Sequence, residues 1–290
     1  MSEIWNPKDG LMHYAELRIR EVLAAPDSVL AQYKGFYYSE KLDGWHAVWD
    51  GDGRLYTKSG KKTFKAPRWF LDLLPKGVAV SGELVVRRAQ ATDVASLLRS
   101  DGPWDKARFY AFDLPADRTR AFDARTRRLK ALVAAQCRGA PKCPLRYVEQ
   151  KKVSSPAAFL DEFGAITECK GQYKRDGSCY GEGVVLTDPQ SMYVPGRATK
   201  HVRVKLKRRE DDEAKVIGYS TARRSLTVKF AGKQFQLGIG FTNEQRADLP
   251  RHFPVGSLVK FSFRALGKNG VPKEARFVGV RHRADVTTPT

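Results

Sequence analysis

Gly35-Phe-Tyr-Tyr-Ser-Glu40-Lys41-Leu42-Asp43-Gly44 sets one lysine between an apolar, strand-like run and a tight Asp-Gly turn. A lysine in that position is a candidate nucleophile. An ammonium with a reference pKa of roughly 10.4 attacks poorly at neutral pH, so such chemistry calls for burial or for neighbouring cations. Lys-x-Asp-Gly equally suits an ordinary hairpin, because Asp-Gly is a common turn signal. Segments further along the chain decide between the two readings.

Gly82-Glu83-Leu84-Val85, Phe109-Tyr110-Ala111-Phe112-Asp113, Gly181-Glu182-Gly183-Val184-Val185-Leu186 and Val204-Lys205-Leu206-Lys207 follow in that order, each on a short apolar run that reads as a strand. With Lys41 they resemble motifs I, III, IIIa, IV and V of the covalent nucleotidyltransferases. Among these the resemblance is closest to the compact ATP-dependent DNA ligases of bacteria and viruses. It covers about residues 30 to 280 and includes Thr57-Lys58-Ser59-Gly60 and Tyr193-Val194-Pro195-Gly196-Arg197. The resemblance implies an enzyme that seals 5′-phosphate/3′-hydroxyl nicks in double-stranded DNA through lysyl-AMP and adenylated DNA. RNA ligases and mRNA-capping guanylyltransferases share the lysine and several motifs, but the compact tail and Gly82-Glu83-Leu84-Val85 favour a DNA ligase. A reading from another class is an inactive basic nucleic-acid binder that keeps the fold.

Residue roles follow from the resemblance, position by position. Lys41 takes AMP from ATP. Glu40, Asp43, Glu83, Phe112, Lys205 and Lys207 bind the nucleotide, with Glu83 on the ribose and Phe112 stacked on adenine. Phe109 and Tyr110 are the rivals of Phe112, and Tyr110 shares its face of the strand. Asp43 is explained nearly as well by the turn it starts. Lys205 and Lys207 lie two apart, so both face the same phosphate and help depress the pKa of Lys41. Glu182 supports a divalent metal, Mg2+ or Mn2+, which takes oxygen ligands beside substrate phosphates.

Two positions depart from the family. His46 stands where these ligases carry arginine two residues after Asp-Gly, and Lys58 where they carry arginine before Ser-Gly. Neither side chain reproduces the two-pronged grip of a guanidinium on phosphate. His46 either donates one hydrogen bond to a nick or nucleotide phosphate, with a charge that changes near a reference pKa of about 6.5, or packs in a hairpin. At the C-terminal end, Lys273 and Arg281 are the corresponding candidates for handling pyrophosphate.

The 52 Lys and Arg against 32 Asp and Glu leave a formal net charge of +20, which favours a polyanionic partner. Lys58–Lys65, Arg118–Arg120, Arg125–Arg128 and His201–Arg209 are the segments expected around a duplex. No long apolar span points to a membrane. Met1-Ser-Glu-Ile-Trp-Asn lacks the basic start and apolar stretch of a secretory signal, so the expectation is a cytoplasmic monomer. Cys137, Cys143, Cys169 and Cys179 lack Cys-x-x-Cys spacing and a completing histidine pair, so reduced thiols are expected rather than zinc ligands.

The pattern of elements predicts an α+β architecture: an antiparallel-sheet nucleotidyltransferase domain over 1–207, then a small all-β OB-fold domain over 208–290. Trp45–Asp50 and Arg54–Lys58 form a hairpin around Gly51-Asp-Gly53. One helix runs from about Arg125 to Gln136, with Leu129, Leu132 and Val133 inward and its arginines outward. A second starts at Ser155-Pro156, an N-cap followed by proline at the first helical position. The charge run Lys207–Glu213 is the expected hinge. Beyond it come five strands, and Thr242-Asn-Glu-Gln245 opens a short helix as a capping box.

Overall fold

The computed structural model describes residues 4–86, 97, 102–173, 181–196, 198–263, 265–266 and 269–280. Cys179, Arg197 and Arg281 lie outside them. The chain divides into two compact units, Met1–Leu17 with Ala25–Lys207, and Arg18–Ala24 with Arg208–Thr290.

The first unit contains strands β1 (Ala15–Leu17), β2 (Tyr37–Leu42), β3 (Trp45–Trp49), β4 (Leu55–Thr57), β5 (Val80–Val86), β6 (Ala107–Asp113), β7 (Leu145–Tyr147), β8 (Lys151–Lys152), β9 (Gly181–Thr187) and β10 (Arg203–Lys207). They form two five-stranded sheets, ordered β1-β10-β9-β2-β8 and β4-β3-β5-β6-β7. Pairing is antiparallel except for β1 with β10 and β6 with β7. Strands β3 and β4 make the expected hairpin. Glycine is required where the Lys41 strand passes the second sheet: a Cβ on Gly44 would lie 2.5 Å from the Leu84 carbonyl oxygen. A Cβ on Gly183 would lie 2.1 Å from the Leu206 carbonyl oxygen, so the residue after Glu182 must also be glycine for β9 and β10 to pair.

Helix α1 (Ile19–Ala24) belongs to the second unit, and α2 (Pro26–Ala31), α3 (Arg68–Leu71), α4 (Phe122–Gln136) and α5 (Pro156–Thr167) to the first. Phe122, Arg125, Thr126, Leu129 and Val133 are the buried stripe of α4. Arg125 therefore faces inward, against expectation. It is fully buried because its guanidinium pairs with Asp113, and this removes it from the candidate duplex contacts. Arg127 and Arg128 of the same segment pair with Asp123 and Asp117. Helix α5 starts as predicted, with the Ser155 hydroxyl accepting from Ala158 N at 3.2 Å and Pro156 at N1. Its Phe159 meets Tyr38 edge to face, which covers the side of β2 opposite Lys41.

The thiols are not free as expected. Cys137 ends α4, the chain reverses through Gly139, and Cys143 returns to form a disulfide with it at a Cα separation of 5.5 Å. Cys169 is disulfide-bonded too. Spacing alone does not reveal such pairs, because a turn and not a motif brings them together.

In the second unit, β11 (Glu210–Ser220), β12 (Ser225–Phe230), β13 (Lys233–Leu237), β14 (Leu258–Phe263) and β17 (Arg276–Val280) form one antiparallel sheet in the order β13-β12-β11-β14-β17. The pair β15 (Ala265–Leu266) and β16 (Pro272–Lys273) is added to it in sequence between β14 and β17. Val216, Leu226, Val228, Leu237, Phe253, Phe261 and Phe263 fill the core. Helices α6 (Asn243–Ala247) and α7 (Leu249–His252) follow β13, and the Thr242–Gln245 capping box makes both of its hydrogen bonds. The boundary between the two units falls in the charged run, after Lys207, and the rest of the run is largely strand, since Glu210, Asp211, Asp212 and Glu213 pair with Phe263, Ser262, Phe261 and Lys260. Asp211 and Asp212 are exposed, whereas Glu210 is buried and meets Arg20 of α1.

Candidate functional site

Between the two sheets of the first unit lies a cavity of about 290 Å³, lined among others by Ser39, Lys41, His46, Lys58, Glu83, Phe112, Val185, Lys205 and Lys207. Register explains the convergence. Lys207, Gly183 and Lys41 are cross-strand neighbours on β10, β9 and β2, and Lys205, Val185 and Ser39 are the next row on the same face.

Glu182 sits at the centre of the charges. Its Oε1 pairs with Lys207 Nζ at 2.5 Å and its Oε2 accepts from Lys41 Nζ. Burial alone raises its pKa, but the two ammoniums outweigh burial and hold it below the usual carboxylate range. Lys205 turns to Glu16 on β1, 3.2 Å away. Asp43, in the turn after β2, is pushed above the usual range by burial and by Glu182.

The opposite wall comes from the second sheet. Glu83 accepts from Gly44 N at 3.2 Å. Burial pushes its carboxyl up to about 8, although Lys41 opposes this. Lys58 is lowered by burial and by the charge of Lys205. Phe112 lines the cavity, whereas Phe109 is fully buried in the core and Tyr110 lines a different cavity. Burial alternates along β6, so Phe112 and not Phe109 can meet a ligand.

His46 lines the cavity on the same wall. Its Nε2 is 2.7 Å from Ser81 Oγ and its ring meets Phe112 edge to face at 5.2 Å. Burial first, then the charge of Lys58, lowers its pKa to about 3, so its charge does not change near 6.5. The ring is a neutral part of the wall. Glu40 also lines this cavity, and it lines a second one as well, where its charge acts on Tyr173. The residue on the Lys41 face is Ser39, which the motif reading missed. The same i, i+2 rule applied backward from Lys205 picks out Arg203, also missed.

Arg203 and Arg125 share Asp113. Arg203 Nη2 lies 2.5 Å from Oδ2, and Arg125 Nε lies 2.8 Å from Oδ1. Both arginines hold the Asp113 carboxyl low against the effect of burial. Removing the shared carboxylate from such a buried network typically costs about 3–5 kcal/mol. The network fastens β6, α4 and β10 together directly behind Phe112 and Lys205.

Among the described residues no helix is long and apolar enough to cross a membrane. The DNA ligase OB-like domain family matches residues 219–281. A DNA ligase of Haemophilus influenzae is 28% identical over 254 residues, which span 84% of this chain and 86% of that protein. A solved structure from a structure-function analysis of Lig E DNA ligases is 32% identical and superposes with a TM-score of 0.56 over 94% of this chain and 99% of its own. The Chlorella virus DNA ligase-adenylate shares the fold, with 20% identity and a TM-score of 0.54 over 95% of this chain and 99% of its own. Identity of 32% across nearly the whole of both chains, together with the ordered lysine, glutamate and aromatic segments around one cavity, establishes that this chain belongs to the ATP-dependent DNA ligases.

Proposed function

We propose that the chain seals nicks in duplex DNA with Lys41 as the residue that carries AMP. The observation that supports this most is that Lys41 and Lys207, which line the cavity with Lys205, Glu83 and Phe112, both pair with Glu182. The Lys41 Nζ lone pair attacks the α-phosphorus of ATP, an N–P bond forms, and the bond to pyrophosphate breaks. Lys205 and Lys207 balance the charge that builds on the phosphate oxygens. AMP then passes to the 5′-phosphate of the nick, and the adjoining 3′-hydroxyl displaces it. Phe112 stacks on adenine, and Glu83, largely protonated at neutral pH, donates to a ribose oxygen. Asp43 shapes the turn that aims Lys41, and Lys58 meets phosphate.

Glu182, a carboxylate beside the two lysines expected at the phosphates, would hold Mg2+ or Mn2+, ions that keep water and substrate phosphates as most of their ligands. Such an ion supplies positive charge to the phosphates. Glu182 would serve it by releasing Lys41 and Lys207.

The first unit would act in adenylation, and the residues from 208 onward, as an OB-fold domain, in engaging nicked DNA as a monomer. The disulfides weigh against the cytoplasmic placement, since cytosolic thiols are kept reduced. Mass spectrometry after incubation with ATP and magnesium tests the central assignment. We expect one AMP, on the peptide containing Lys41, and none in Lys41→Arg. AMP on a different lysine refutes it.

A further inference from the structure

The cavity floor has a third row. Arg203, Thr187 and Tyr37 are cross-strand neighbours two residues beyond Lys205, Val185 and Ser39, and Arg203 and Thr187 both line the cavity. Two residues along a strand advance roughly 6.5 Å, so this row stands about 13 Å from that of Lys41. With the α-phosphate at Lys41 and adenine on Phe112, whose chain neighbour Asp113 pairs with Arg203, the nucleoside would extend toward this row.

Arg203 is 3% exposed and its guanidinium lies 5.1 Å from the centre of the Phe122 ring. Asp113 takes one of its Nη groups. Its Nε–H has no acceptor among the described residues. A buried donor left unmade is destabilising, and strongly charged donors most of all. The network is also unbalanced, because the single Asp113 carboxylate meets both Arg203 and Arg125. Structural pairing with Asp113 therefore uses only part of what this side chain offers.

We propose that Arg203 binds the nucleoside end of ATP, donating its Nε–H to an acceptor nitrogen of the base. This rests on the reading of the cavity as the ATP site. It makes Arg203 a binding residue that acts on base and not on phosphate, and it assigns the nucleoside end of the cavity to the motif V strand.

Titration calorimetry on the full chain, with adenosine, ATP and inorganic pyrophosphate as separate ligands, tests it. Arg203→Lys keeps a cation for Asp113 but loses the Nε–H; Arg203→Met loses both. We expect each to bind adenosine and ATP about 10-fold or more weakly, with pyrophosphate binding unchanged. Unchanged adenosine affinity in folded Arg203→Lys overturns the proposal. So does a loss confined to ATP and pyrophosphate, which would mark a phosphate contact. Loss of folding in both variants makes Arg203 a purely structural residue and overturns it too. Absence of AMP on Lys41 in the parent protein would instead defeat the functional reading, whatever the adenosine titrations give.

Discussion

Glu83→Gln should change how the stability of the first unit depends on pH. The folded-state carboxyl is raised from 4.5 to about 8, chiefly by burial. Between those values the unfolded chain has shed the proton while the folded chain keeps it, so stability falls as pH rises through that window. At about 1.4 kcal/mol per pH unit the displacement amounts to about 5 kcal/mol. Glu83 is only half-buried at the cavity wall, and water there screens the effect, so about 2 kcal/mol is expected. Glutamine has a similar shape and no titration. All five tryptophans, Trp5, Trp45, Trp49, Trp69 and Trp104, lie in the first unit, so their fluorescence follows its unfolding alone. Urea unfolding at pH 5, 6, 7 and 8, without nucleotide, should show the parent losing about 2 kcal/mol relative to Glu83→Gln from the lowest to the highest pH. Other titrating groups cancel in that difference. Parallel curves would refute the raised pKa and with it the neutral, donating Glu83.

Two more predictions come from the same structure. His46, neutral above about 3 in the folded state, binds a proton more readily when unfolded, so it should cost stability as pH falls from 6.5 toward 3. His46→Gln should therefore be more resistant to acid than the parent and show an unaltered pH profile of nick sealing between pH 6 and 8; a profile that shifts would return His46 to a charged phosphate contact. Cys137→Ser should lower the stability of the first unit by about 2 kcal/mol, the loop-closure value for so short a loop, as read by tryptophan fluorescence in urea. Labelling of Cys143 by a thiol reagent in denatured, unreduced parent protein would show that the bond does not form.

The placement of the chemistry-bearing segments on strands was legible along the chain. Lys41, Glu83, Phe112, Glu182, Lys205 and Lys207 each sit on or at a short apolar run, and period-2 alternation already puts Lys205 with Lys207 and Phe112 apart from Phe109. The Ser155 cap and the Thr242 capping box were legible for the same reason, that both are local hydrogen-bond patterns. What alternation says about a single strand does not say which strands meet. Only the register of β10, β9 and β2 brings Lys207 and Lys41 to the two oxygens of Glu182. Only the packing of α4 on β6 and β10 turns Arg125 and Arg203 from surface cations into partners of Asp113. Burial by elements distant in sequence likewise sets His46 neutral and Glu83 protonated, because desolvation depends on what covers a group. The residue types and their order along the chain thus carried the family and the reaction; three-dimensional packing decided which charges are available to carry it out.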